Sequence, residues 1–221
     1  MKIYVADVTI AELEYLEAHV SAGRIERSRK YKAEIDRRRS LGVEALLNYA
    51  LREIDPSLSV PVRLKTDEHG KPHLIMINGQ AGDDMSGLIE FSLSHSGNYA
   101  ACVLAPVPVG IDIERHKSDN AGVARRFFTR DECEDITDDE RFYFYWTLKE
   151  SFLKAVGKGL SLPMNSFSVT LDGKGGPAVY AHQVNEHAYF GKLYEMEAGY
   201  SLAVCAQECS DFPQEIIRVK L

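Results

Sequence analysis

Two segments carry residues whose types and spacing point to chemistry: Gly110-Ile111-Asp112-Ile113-Glu114, and Trp146-Thr147-Leu148-Lys149-Glu150-Ser151-Phe152-Leu153-Lys154. In the first, acids alternate with isoleucines, so a strand buries Ile111 and Ile113 on one face and presents Asp112 and Glu114 on the other. Two carboxylates on one face repel unless something positive sits between them. The second segment reads as a helix that brings Glu150 as a third carboxylate, with Lys154 one turn later as a phosphate contact. Three carboxylates beside a lysine describe a site for a hard cation holding a phosphorylated ligand. Magnesium takes few protein carboxylates and completes its octahedron with waters and substrate phosphates. Each motif alone has a plainer reading, the first as the solvated face of a strand and the second as a helical ion pair worth about 0.2–0.5 kcal/mol.

The elements that must position these groups follow from periodicity. Residues 2–8 read as a strand, 10–19 as a helix, and 33–52 as a long helix with Leu41, Ala45, Leu46, Tyr49 and Ala50 on one face, ended by Asp55-Pro56. A turn at Glu68-His69-Gly70-Lys71-Pro72 precedes short strands over 91–93 and 99–104. Pro106 and Pro108 mark a boundary, which divides the chain into lobes of residues 1–105 and 106–221. The second lobe offers helices over 122–128 and 139–156, a glycine stop at Gly157-Lys158-Gly159, and strands over 167–171, 188–195 and 200–206. Phe142, Tyr145, Trp146, Phe152, Leu153 and Val156 form the buried stripe of the 139–156 helix, which places Glu150 at the edge of that stripe. Helices followed by antiparallel-looking strands in both halves predict an α+β fold of two similar lobes.

A chain of 221 residues is long enough to bury a core without covalent staples. Its 45% hydrophobic and 27% charged content is that of an ordinary globular protein. No apolar run approaches a membrane span, and the first residues lack the pattern of a secretion signal. A cytoplasmic protein without membrane contact is expected. The four cysteines, Cys102, Cys133, Cys205 and Cys209, show no zinc-site spacing, which leaves free thiols as the default. The net charge of −7 is uneven: eight Lys or Arg against three acids between Arg24 and Arg39 give a local balance of +5 and leave −12 elsewhere. Such a stretch on an acidic protein marks a local anion site, or simply a solvated helix face, and argues against nucleic acid as a partner. Ser92-Leu93-Ser94-His95-Ser96-Gly97 reads as a strand end running into a turn whose hydroxyls, imidazole and backbone N–H groups suit phosphate oxygens.

Taken in order, these segments resemble the 4′-phosphopantetheinyl transferase superfamily, in its long type that activates surfactin synthetase and related carrier proteins. The resemblance rests on Gly70-Lys71-Pro72, the 92–97 segment, Gly110 to Glu114, Arg125-Arg126-Phe127-Phe128 and, above all, the 146–162 segment. It implies transfer of the phosphopantetheine arm of coenzyme A to a serine of an apo acyl or peptidyl carrier protein, with adenosine 3′,5′-bisphosphate released. It also implies a monomeric pseudo-dimer with coenzyme A in the cleft between the lobes. The first lobe would take the 3′-phosphate and adenine, and the second the metal and the carrier. By position, Asp112, Glu114 and Glu150 match the family's Mg²⁺ ligands, and Lys154 its pyrophosphate-contacting lysine. Arg24, Arg27 and Ser40 match residues that hold the 3′-phosphate, and Lys71, Ser94 and His95 match other coenzyme A contacts. Arg24 and Arg27 stand where lysines are common and Ser40 where threonine is frequent; both changes keep the phosphate-binding chemistry.

The implied mechanism assigns charge neutralisation to Mg²⁺ and Lys154, and deprotonation of the serine to Glu150 or a metal-bound water. Glu132, shortly after the Phe127-Phe128 pair, is another acid that could take part, and from sequence alone it reads as a solvated helix residue. Carrier docking is expected on apolar surface over 123–128 and on the segment after Lys154. Two other classes fit the same carboxylates: a Mg²⁺-dependent phosphohydrolase acting on a coenzyme A-like or nucleotide substrate, and a binding module without catalysis.

Overall fold

The computed structural model describes residues 1–75, 89–118, 120–171, 176–208 and 211–221, apart from the side chains of Ala121 and Leu160. Cys209 lies outside the described residues, while Cys102, Cys133 and Cys205 are free thiols. The chain divides into two compact units, Met1–Pro106 with Pro213–Leu221, and Val107–Phe212. The α+β class expected from sequence holds in each.

In the first unit, β1 (Lys2–Asp7), β4 (Glu90–Ser96), β5 (Tyr99–Ala105) and β11 (Ile217–Val219) form a sheet in the order β11-β1-β5-β4. One face of this sheet packs on α3 (Glu34–Ile54), through Val43, Leu46, Leu47, Ala50 and Leu51 against Tyr4, Ala6, Val8, Ala100, Cys102 and Leu104. Two short helices, α1 (Leu13–Ala18) and α2 (Ala22–Ser28), and a hairpin of β2 (Arg63–Thr66) and β3 (Pro72–Ile75) complete the unit. The basic run is thus split between α2 and α3, and its arginines are largely engaged: Arg24 with Glu44, Arg37 with Glu17, Arg38 with Glu34, and Arg39 with Asp36.

The division of the sequence at residue 105 assigns the last residues to the second lobe, and the structure corrects this. β11 runs parallel to β1, with Tyr4 opposite Ile217 and Ala6 opposite Val219, so the C-terminal strand returns to the first unit and buries Val219 there.

The second unit is built on an antiparallel sheet in the order β6-β10-β9-β8-β7, from β6 (Val109–Arg115), β7 (Ser168–Thr170), β8 (Ala178–Ala181), β9 (Tyr189–Tyr194) and β10 (Tyr200–Gln207). Across it lies α6 (Asp139–Val156), preceded by α4 (Ala121–Phe127) and α5 (Arg130–Asp135). Asp138 caps the start of α6 by accepting from Arg141 N, and Gly157 ends it at φ 78°, a left-handed conformation that glycine adopts without penalty. Leu148 and Phe152 of α6 are fully buried with Tyr180, Tyr189, Ala203 and Cys205 of the sheet. Phe128 is also buried, against Phe142 and Tyr145, so it belongs to the core and not to an exposed docking surface.

Lys149, on the core side of α6, is fully buried. Its Nζ donates to Met164 O at 2.8 Å and Phe167 O at 2.7 Å, pairs with Glu132 Oε2 at 2.9 Å, and lies 4.3 Å from the centre of the Phe167 ring. Glu132 is not the solvated acid expected from sequence. It is 3% exposed, and both its oxygens are used: Oε1 accepts from Val169 N, and Oε2 from Thr129 N in the capping box of α5 as well as from Lys149. Burial pulls the Lys149 ammonium below its ordinary value while the Glu132 charge opposes the shift. Removing one partner leaves a buried charge unpaired, so Glu132→Ala lowers unfolding free energy by about 3–5 kcal/mol in urea titrations. The double change Glu132→Leu with Lys149→Met recovers only part of that loss, because Thr129 N, Val169 N, Met164 O and Phe167 O are left without these partners.

Candidate active site

Strand alternation puts Gly110, Asp112, Glu114 and His116 on one face at the end of the chain segment running through β6. This face lies beneath α6, with Gly110 and Asp112 buried and Glu114 and His116 half-buried. At Gly110 the helix backbone presses directly on the strand: a Cβ there would stand 1.9 Å from Ser151 O and 2.6 Å from Ala155 N. One pleat further, Asp112 is 4% exposed, and its Oδ1 accepts from Lys154 Nζ at 2.7 Å while the same ammonium reaches Ile111 O at 2.9 Å. Past Glu114, the His116 ring stacks on Tyr143 of α6 with centroids 4.7 Å apart and planes 6° from parallel. Ile111 and Ile113 point the other way and are fully buried, as their alternation requires.

The site is held at an electrostatic disadvantage. The Glu150 carboxyl is pushed up from its ordinary value of 4.5 to about 7, first by burial and then by the charge of Asp112, with a smaller contribution from Glu114; Lys154 opposes the shift. One ammonium therefore does not compensate three acids. Hard oxygen donors with excess negative charge on two facing elements fit a divalent cation. Among the described residues no three His, Cys, Asp or Glu side chains already stand as a formed metal centre. His116 and Tyr143 escaped the sequence reading, although His116 simply continues the even-numbered alternation of Gly110, Asp112 and Glu114.

The residues matched to coenzyme A contacts lie in the first unit. Arg24 and Arg27, both on α2, line a cavity of about 640 Å³ together with Ser21, Arg63, Thr66 and Pro72. Arg24 Nε is held by buried Glu44 Oε2 at 2.8 Å, while Glu44 Oε1 accepts from Ser21 N at 2.6 Å. Arg27 is exposed. Ser40 is buried on α3, does not line this cavity, and its Oγ has no hydrogen-bond partner among the described residues. Lys71 follows the β2–β3 turn with its Nζ 3.8 Å from Glu90 Oε2, and burial lowers its pKa against the opposing Glu90 charge. β4 runs on to Ser96, past the strand end expected from sequence, so Ser94 and His95 belong to a strand and alternate across it: Ser94 is buried and His95 exposed.

The profile of the 4′-phosphopantetheinyl transferase superfamily matches residues 108–205, which span β6, α6 and β10. Two Bacillus subtilis proteins, the 4′-phosphopantetheinyl transferases ffp and Sfp, are each 35% identical to this chain over 94% of its length and 91% of their own. The 4′-phosphopantetheinyl transferase gsp of Aneurinibacillus migulanus is 29% identical over 87% of this chain and 78% of its own. The chain belongs to the 4′-phosphopantetheinyl transferase superfamily, among its long, Sfp-like members. Among solved structures, the Helicobacter pylori holo-[acyl-carrier-protein] synthase in complex with coenzyme A aligns with 45% of this chain and 99% of that one, at 19% identity and a TM-score of 0.39.

Two outcomes check this geometry. Gly110→Ala forces α6 off β6 and destabilises the protein by at least about 1–3 kcal/mol in urea unfolding, the range for overpacking a tight core. Glu150 binds its proton more tightly in the folded than in the unfolded chain, so stability falls as pH rises from 4.5 toward 7. For metal-free protein in chelator, that fall is at most about 3 kcal/mol, and Glu150→Gln removes it.

Proposed function

We propose that this chain transfers the 4′-phosphopantetheine arm of coenzyme A to a serine hydroxyl of an apo acyl or peptidyl carrier protein, releasing adenosine 3′,5′-bisphosphate. The observation that carries this reading is the gathering of Asp112, Glu150 and Lys154 where α6 lies on β6, with the charge of Glu114 also felt at Glu150. This cluster falls inside the segment that the family profile matches. Asp112, Glu114 and Glu150 would hold Mg²⁺, which when bound offsets negative charge on the pyrophosphate. Lys154 supplies a fixed positive charge for a phosphate oxygen. The proton of the attacking serine passes to Glu150 or to a water at the site, whereas Asp112 and Glu114 serve as ligands only.

In the first unit, Arg27 presents an exposed guanidinium for bidentate contact with the 3′-phosphate. Arg24 is oriented beside it by Glu44. Lys71 and the exposed His95 offer further polar contacts to coenzyme A, whereas Ser40 and Ser94 are buried and are assigned no contact. The protein acts as a cytoplasmic monomer in this reading.

Mass spectrometry of an apo carrier protein incubated with this protein, coenzyme A and Mg²⁺ provides the test. The carrier gains the mass of one phosphopantetheine arm, and chelator abolishes the gain. Asp112→Ala slows it at least about 100-fold, the scale of losing a charge-stabilising group at a reacting centre. Hydrolysis of coenzyme A with no carrier present overturns the transferase reading in favour of a phosphohydrolase.

A further inference from the structure

The face of β6 that carries the acids is closed against α6 at one end by Gly110, which admits direct backbone contact. At the other end, His116 fills the space between strand and helix. Its ring lies flat on Tyr143, with centroids 4.7 Å apart. Its Nε2 hydrogen-bonds Ser201 Oγ at 2.8 Å. Ser201 is itself 2% exposed and is the cross-strand partner of Glu114 on β10. The segment is tied down further, because His116 N donates to Gly199 O at 2.8 Å and Lys117 N to the Tyr143 hydroxyl at 3.0 Å. Glu114 thus has a locked neighbour two residues on and another directly across the ladder. Burial raises the Tyr143 phenol, and the charge of Glu114 adds to that shift.

The geometry points to His116 as a positioning residue for the metal-binding carboxylates: stacked on Tyr143 and tethered to Ser201, it sets the separation of β6 and α6 at the Glu114 end of the strand, and so the spacing between the acids of β6 and Glu150 of α6. The aromatic stack does the spacing, and the Ser201 bond fixes the ring plane. Partners that orient metal ligands are typically worth 10–100-fold in metal affinity. Such a role presupposes that Asp112, Glu114 and Glu150 bind a divalent cation.

The test is a Mn²⁺ titration of the full chain, with the free ion followed by electron paramagnetic resonance, alongside urea unfolding of each variant. Wild-type protein binds Mn²⁺ and Asp112→Ala does not. His116→Ala raises the Mn²⁺ dissociation constant about tenfold, and His116→Phe, which keeps the stack, returns it to within about twofold of wild type. A His116→Ala protein that unfolds at lower urea but binds Mn²⁺ like wild type has lost only stability, and overturns the positioning role alone. A wild type that binds no Mn²⁺, or an Asp112→Ala protein that binds it equally well, overturns the cation site and the positioning role together.

Discussion

The second unit depends on the burial of one ammonium. Lys149 Nζ reaches two carbonyls of the segment that follows α6, the carboxylate of Glu132 on α5, and the face of Phe167 just before β7. The partners come from two stretches of chain, α5 and the segment that follows α6. The desolvation of a charge is expensive, so the arrangement persists only because every donor direction is used and because Glu132 is in turn held by Thr129 N and Val169 N. The network fixes the rotation of α6 about its own axis. Everything on the opposite side of that helix inherits its direction from this anchoring.

What it inherits is a close approach to β6. Two helix–strand contacts of different character bracket the acids: a backbone contact at Gly110 and an aromatic spacer at His116. A side chain at 110 would lift the helix, and a small residue at 116 would let it settle. Between these limits Asp112 lies within reach of Lys154. The geometry of the site is therefore a consequence of packing, with the polar groups placed by apolar and backbone contacts on either side.

The parts that were legible in the sequence are those whose signal is local. The 139–156 helix is legible from its apolar stripe and its Gly157 stop, and the face-sharing of Asp112 and Glu114 follows from a period of two. The C-terminal strand was not legible, since Ile217–Val219 is three residues long and its place beside β1 is a pairing across nearly the whole chain. Glu132 looked solvated because its capping role, Thr129 with Glu132 at the third position, is written in the sequence while its buried partner Lys149 is not. Lys149 sits in a motif where Glu150 and Lys154 draw the chemistry, and only the fold shows that Lys149 is buried in the core while its neighbour Glu150 is half-buried near Asp112. Ser94 and His95 illustrate the same limit: a strand that extends a few residues further turns one apparent cluster into two faces.

Lys149 and Glu150 together explain how the fold tolerates its own site. A buried cation with every partner in place contributes cohesion to the core side of α6. Its neighbour in sequence holds a carboxyl shifted toward neutrality by burial and by Asp112 and Glu114, which detracts from stability whenever it ionises. Placing both on one helix means that the strain at the acid cannot be relieved by rotating α6, because rotation would unpair Lys149. The charge repulsion is thus retained as a property of the folded state, available to be offset by a cation or a proton but not by movement of the helix.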